Sequence, residues 1–239
     1  MKKILSLFAL ALLTTSAFAQ KDPAPKKNKP DMSNRPNDHF LLQLGYTKWA
    51  GIPDTINQQG FSKSFNTYLM FDFPFKNNPK MSMALGVGIG SDHIIFSGTK
   101  IGIKDQTPSI YFTNVSDTNH YKKTKLATVY LEAPVELRFS GDPLQGKGFK
   151  AAIGVKVGTM INAHTRNTKF QDKSGSTISD HVLKESSTKF FNKNRLSLMA
   201  RVGYSHFSLY TSYQVTALFK DGSGPEVRPF SIGLTLSGL

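Results

Sequence analysis

Leu131, Ala133, Val135, Leu137 and Phe139 share one parity of the stretch 130–139, while Tyr130, Glu132, Pro134, Glu136 and Arg138 share the other. A period of two with one oily and one charged face is the pattern of a strand. It recurs along the chain and predicts eight extended segments, at His39–Trp49, Ser64–Phe73, Met81–Phe96, Thr124–Phe139, Phe149–His164, Asn194–Tyr204, Phe207–Leu218 and Val227–Ser237. The connections alternate. Ala50–Lys63, Ser97–Lys123 and Thr165–Lys193 are long, Pro74–Lys80, Ser140–Gly148 and Ser205-His206 are short, and Phe219–Glu226 is intermediate. Eight strands with short turns on one side and long loops on the other fit a small closed membrane barrel. The expected fold is all-β, an eight-stranded antiparallel transmembrane up-and-down β-barrel with long extracellular loops and short periplasmic turns.

The two parities can be assigned to lipid and lumen. One set, such as Leu42, Leu44, Leu69, Phe71, Val87, Leu131, Val155, Leu198, Leu209 and Leu234, carries no charge. The strand-centre charges Asp72, Glu132, Glu136, Arg138, Lys156 and Arg201 fall on the opposite set, with many glycines. Charges withdrawn from water must be paired, so these six are expected to form an ion-pair network that plugs the lumen. Aromatic residues gather toward strand ends and predict two interfacial girdles. Phe40, Phe73, Phe139, Tyr204 and Phe207 make the turn-side girdle, and Tyr46, Trp49, Phe65 and Phe230 the loop-side one.

The amino terminus reads as an export signal over residues 1–19. Lys2 and Lys3 precede the apolar run Ile4–Leu13, and Ala17-Phe18-Ala19 supplies a cleavage site. A Pro- and Lys-rich periplasmic tail is expected over residues 20–38, and the barrel over residues 39–239. The negative mean hydropathy is compatible with a barrel whose inner half is polar. There is no cysteine, so neither disulfides nor lipoprotein anchoring are expected.

Candidate chemistry is sparse. His39, His93, His120, His164, His181 and His206 show no metal-ligand spacing, and neither a metal nor a cofactor is expected. His206-Phe207-Ser208 superficially resembles the His-x-Ser element of outer-membrane lipid A deacylases, but no carboxylate follows before Asp221. No catalytic residue is assigned, and the protein is not expected to be an enzyme. A share of the formal charge of +14 falls in the loops Ser97–Lys123 and Thr165–Lys193, which suits contact with lipopolysaccharide phosphates. The expected surroundings are outer-membrane lipid and lipopolysaccharide, with an envelope protein as candidate partner, no nucleic acid, and a monomer as the expected state.

The stretch 130–139, with Tyr130, Leu131, Glu132 and Pro134 as its motif, resembles the Leu-Glu-Ile-Pro-Leu segment of the small PorT-like outer-membrane barrels of Bacteroidetes. The Gly-rich strand 151–158 is similar to the one that follows it in that family. Ala133 stands where the family has a larger aliphatic residue, and Leu239 replaces the terminal aromatic common in outer-membrane proteins. Pro134 implies a bulge or a break in pairing, since a closed barrel has no edge strand. The resemblance implies location in the outer membrane and a structural or interaction role, including as an accessory to secretion or surface assembly. Small-solute transport or ligand binding is the alternative, and a lipid-modifying hydrolase the remote one.

Overall fold

The computed structural model describes residues 39–56 and 58–238, so the expected signal and tail lie outside the described residues. The strands are β1 (Phe40–Ala50), β2 (Lys63–Phe75), β3 (Asn78–Phe96), β4 (Thr99–Ile101), β5 (Phe112–Asn114), β6 (His120–Ser140), β7 (Phe149–Gln171), β8 (Thr177–Ser186), β9 (Asn194–Tyr204), β10 (Phe207–Gln214) and β11 (Arg228–Ser237). Eight of them close an antiparallel ring in the order β1, β2, β3, β6, β7, β9, β10, β11, with β11 paired back onto β1. Closure leaves no open edge around the wall, so main-chain groups are satisfied without water. The turn between β9 and β10 is held by Ser205 at φ +55°, the left-handed conformation that tight hairpins require.

Two long connections differ from the irregular loops expected of them. Within Ser97–Lys123, β4 pairs with β5 and β6 already starts at His120. Within Thr165–Lys193, β7 continues to Gln171 and turns into β8, making a hairpin that extends beyond the ring. Its tip is fixed by Asp172, whose Oδ1 accepts hydrogen bonds from the Ser174 and Ser176 amides at 2.9 and 3.0 Å. Gly175 supplies the positive φ that closes this turn. The Ser174 hydroxyl also donates to that carboxylate and holds its pKa below the usual range.

The outer wall is apolar because one parity of every ring strand is. Leu69, Phe71, Val87, Leu131, Ile153, Val157, Leu198, Leu209 and Leu234 are exposed on it. From Phe139 to Val129 the outward residues of β6 would cover about 25 Å of bilayer at a tilt of roughly 40°.

Two irregularities interrupt the regular ladder. Between β3 and β6 the register runs Leu85↔Val135 and then Gly88↔Glu132, so bridges are missing opposite Ala133 and Pro134 while the register itself is kept. Pro134 therefore produces a gap on its β3 side and remains paired to Lys156 of β7. The bulge lies elsewhere. Val129 pairs with Asn162 and Tyr130 with Met160, leaving Ile161 of β7 as the extra residue.

Candidate functional site

The interior carries charge on the wall formed by β2, β3, β6, β7 and β9. Toward the loop side, Arg195 places Nη1 2.8 Å from Asp92 Oδ2 and Nη2 2.7 Å from Glu132 Oε1. Tyr68 donates to Glu132 Oε2 at 2.5 Å, and Lys156 Nζ lies 3.7 Å from the same oxygen. The Arg195 guanidinium also lies over the Tyr130 ring, 4.4 Å from its centroid. Toward the turn side, Arg138 Nε and Arg201 Nη2 donate to Glu136 Oε2 at 2.7 and 3.0 Å. Arg138 Nη1 stands 3.8 Å from Asp72 Oδ1, which also accepts from the Ser82 hydroxyl at 2.7 Å. The six charged residues chosen from parity thus divide between two groups about 13 Å apart along β6. Lys156 and Glu132 belong to the upper group, and Asp72, Glu136, Arg138 and Arg201 to the lower.

Sequence reasoning missed Arg195 and Asp92, which complete the upper group. Both lie near strand ends, where a charge has an easy alternative in water. Parity carried one step further would have found them, since 195 alternates with Arg201 and 92 with Ala84. Asp92 does not approach His164, for His93 and His164 occupy the outward row through Ala127 while Asp92 faces inward.

The opposite half of the interior, on β1, β10, β11 and the loop-side part of β2, is polar but neutral. Gln43 Nε2 donates to Thr235 Oγ1 at 3.2 Å and Gln43 Oε1 accepts from Asn66 Nδ2 at 3.2 Å, while Ser64 and Tyr210 share a 2.8 Å hydrogen bond. The glycines facing inward leave space that these side chains occupy. A Cβ on Gly90 would stand 2.6 Å from Glu132 Oε2, and one on Gly45 would stand 2.4 Å from the Tyr210 hydroxyl.

Above the charges, the loop-side mouth is filled by an apolar cluster. Trp49, Ile94, Phe96, Ile101, Ile103, Ile110, Leu126, Phe190, Phe191, Leu218, Phe219 and Val227 are all buried in it. The Trp49 ring sits 5.5 Å from Phe96, 5.9 Å from Phe112 and 5.8 Å from Phe219. Trp49 is therefore not part of the loop-side girdle. It shares the inward parity of Leu41, Gln43 and Thr47 and is only 2% exposed. Of the other girdle aromatics, Phe65, Phe73, Phe139, Tyr204, Phe207 and Phe230 are exposed on the outer wall, while Phe40 and Tyr46 are half-buried there. The loop supplying Ile101, Ile103, Ile110 and Phe112 is further fastened by a hydrogen bond from Tyr111 to Asp105, which raises the pKa of that hydroxyl.

The motif 130–134 alternates between these surroundings. Tyr130 and Glu132 enter the Arg195 group, whereas Leu131 is exposed on the wall. His206 and Ser208 do not act together. The His206 ring bonds the Ser237 carbonyl at 2.9 Å, and the buried Ser208 Oγ has no hydrogen-bond partner among the described residues. No cluster of three metal-ligating side chains occurs among the described residues.

No curated protein matches this chain. Among solved structures, the crystal structure of Ail, the attachment invasion locus protein of Yersinia pestis, matches with 11% identity and a TM-score of 0.37, covering 83% of this chain and 94% of that one. The family model described as outer membrane protein beta-barrel domain matches residues 18–220. With a closed eight-strand ring, an apolar outer wall and a polar interior, the chain belongs to this outer-membrane β-barrel family.

Proposed function

We propose that this outer-membrane barrel is a non-enzymatic protein with a closed lumen, whose role is structural or interactive and is exercised through its outer surfaces. The observation that carries this reading is the filling of the interior at three levels: the Glu136 group, the Arg195 group and the aromatic cork around Trp49. An eight-stranded barrel has room for little beyond its own side chains. In a planar bilayer the wild type is expected to show no steady ion conductance. A steady wild-type conductance that Glu132→Gln and Arg201→Ala leave unaltered would overturn the reading and favour small-solute transport.

An interaction role also draws support from β8, an edge strand paired only with β7 and exposed along its length, with Ile178 and Val182 on its surface. Such an edge can accept a partner's strand. The resemblance at 130–139 favours an envelope protein of secretion or surface assembly as that partner, and crosslinking in outer membranes should recover it stoichiometrically. The basic loops in turn suit lipopolysaccharide phosphates. Orientation has its own test. Protease added to intact cells is expected to cut the hairpin tip at Lys173 and to spare residues 20–38. Cleavage confined to residues 20–38 would invert the topology.

A further inference from the structure

The β-ladder sets cations directly opposite one another on the outside of the barrel. Lys125 of β6 pairs with Arg166 of β7, and Arg166 pairs with Lys184 of β8, in one outward row. One pleat lower, Lys63 of β2 pairs with His93 of β3, and Lys123 lies one pleat above Lys125. Like charges opposed across strands repel. None of Lys63, Lys123, Lys125, Arg166 or Lys184 forms an ion pair among the described residues, the nearby pair being Lys169 with Asp180 at 3.9 Å. The row lies four residues above Val129, about 10 Å beyond the edge of the apolar wall for a strand tilted by roughly 40°, which is the depth of lipid headgroups.

A groove links this row to the hydrocarbon zone. Its lower part is walled by Leu44, Phe65 and Leu234, and its upper part by Lys63, Lys123 and Lys125. The lower residues are exposed although apolar. A groove with an oily floor and a cationic rim complements one kind of molecule, an amphiphile with acyl chains and a negatively charged head. Several lysines and an arginine converging at headgroup depth favour phosphate, which offers more acceptors and more charge than a carboxylate.

We propose that Lys63, Lys123, Lys125, Arg166 and Lys184 form a binding site for a phosphorylated lipid of the surrounding leaflet, whose chains lie along the Leu44, Phe65 and Leu234 groove. The site deepens the surface-acting reading above and rests on it for placing the loop side at the outer leaflet. The bound phosphate neutralises the row that the ladder holds together, so lipid and barrel stabilise each other.

The test uses the full protein in phosphatidylcholine nanodiscs containing a minor share of diphosphorylated lipid A, with retained lipids counted by native mass spectrometry. Wild type and a turn-side control carrying Lys76→Gln, Lys80→Gln and Lys147→Gln are expected to retain lipid A over phosphatidylcholine about tenfold better than Lys125→Gln/Arg166→Gln/Lys184→Gln. Equal retention by wild type and the triple variant would overturn the site. Complete displacement of the lipid by excess inorganic phosphate would overturn the lipid as its ligand and leave a free-anion site. Should the triple variant not fold, Lys125→Gln alone is expected to lower retention about threefold, and unchanged retention would refute the proposal. Nanodiscs expose both faces and carry no ion current, so the result does not depend on topology or on a closed lumen.

Discussion

Arg195→Ala is expected to destabilise the barrel by about 3–5 kcal/mol, the cost of leaving a buried ion-pair partner without its countercharge. Arg195 is the one cation that holds both Asp92 and Glu132, and Lys156 alone would then face two carboxylates. The burial of all four charges keeps water from taking over the task. Urea titration in detergent, followed by the slower migration of unfolded barrel on a cold gel, measures the loss. Adding Glu132→Gln to Arg195→Ala is expected to recover about 1–2 kcal/mol, because the orphaned charge is removed and the two sites are coupled. If Arg195→Ala unfolds at the wild-type urea concentration, the upper charge group does not support the barrel.

Trp49→Ala should be comparably severe, at about 3–5 kcal/mol, for it opens a cavity among Phe96, Phe112 and Phe219 that surrounding strands hold apart. The same unfolding assay applies. Tyr204→Ala is the informative contrast, since Tyr204 is 68% exposed on the outer wall and has no comparable packing to lose. If Trp49 belonged to an interfacial girdle, both substitutions would cost alike. The cork reading requires Trp49→Ala to cost several times more.

These two residues also mark where the sequence was legible. The ring strands could be read because lipid permits nothing but apolar side chains on one parity, and a constraint that strict leaves its period in the chain. Glu132, Glu136, Arg138, Lys156 and Arg201 followed from the same alternation. Arg195 and Asp92 obey it too, yet they sit close to strand ends, where a charge has an easy alternative in water. Trp49 was misplaced because aromatic residues at strand ends usually sit at the interface, a statistical preference that its parity overrides. The cork left a fainter trace. Ile101, Ile103, Ile110 and Phe112 are scattered among polar loop residues, and nothing local says that segments from distant loops converge on Trp49. Long-range packing of irregular backbone has no period to betray it.

The bulge at Ile161 decides which compartment the upper half of β7 addresses. Below it the odd-numbered residues Ile153, Val155 and Val157 look outward, and above it the even-numbered Asn162, His164 and Arg166 do, while Ala163 and Thr165 turn inward. One residue thus works as a phase shift in the reading of the strand. Were β7 to run past Ile161 without the bulge, strict alternation would send Arg166 into the aromatic cork and present Ala163 and Thr165 to the headgroups. The cationic exterior and the apolar stopper would fail together, although not one amino acid in the chain would be changed.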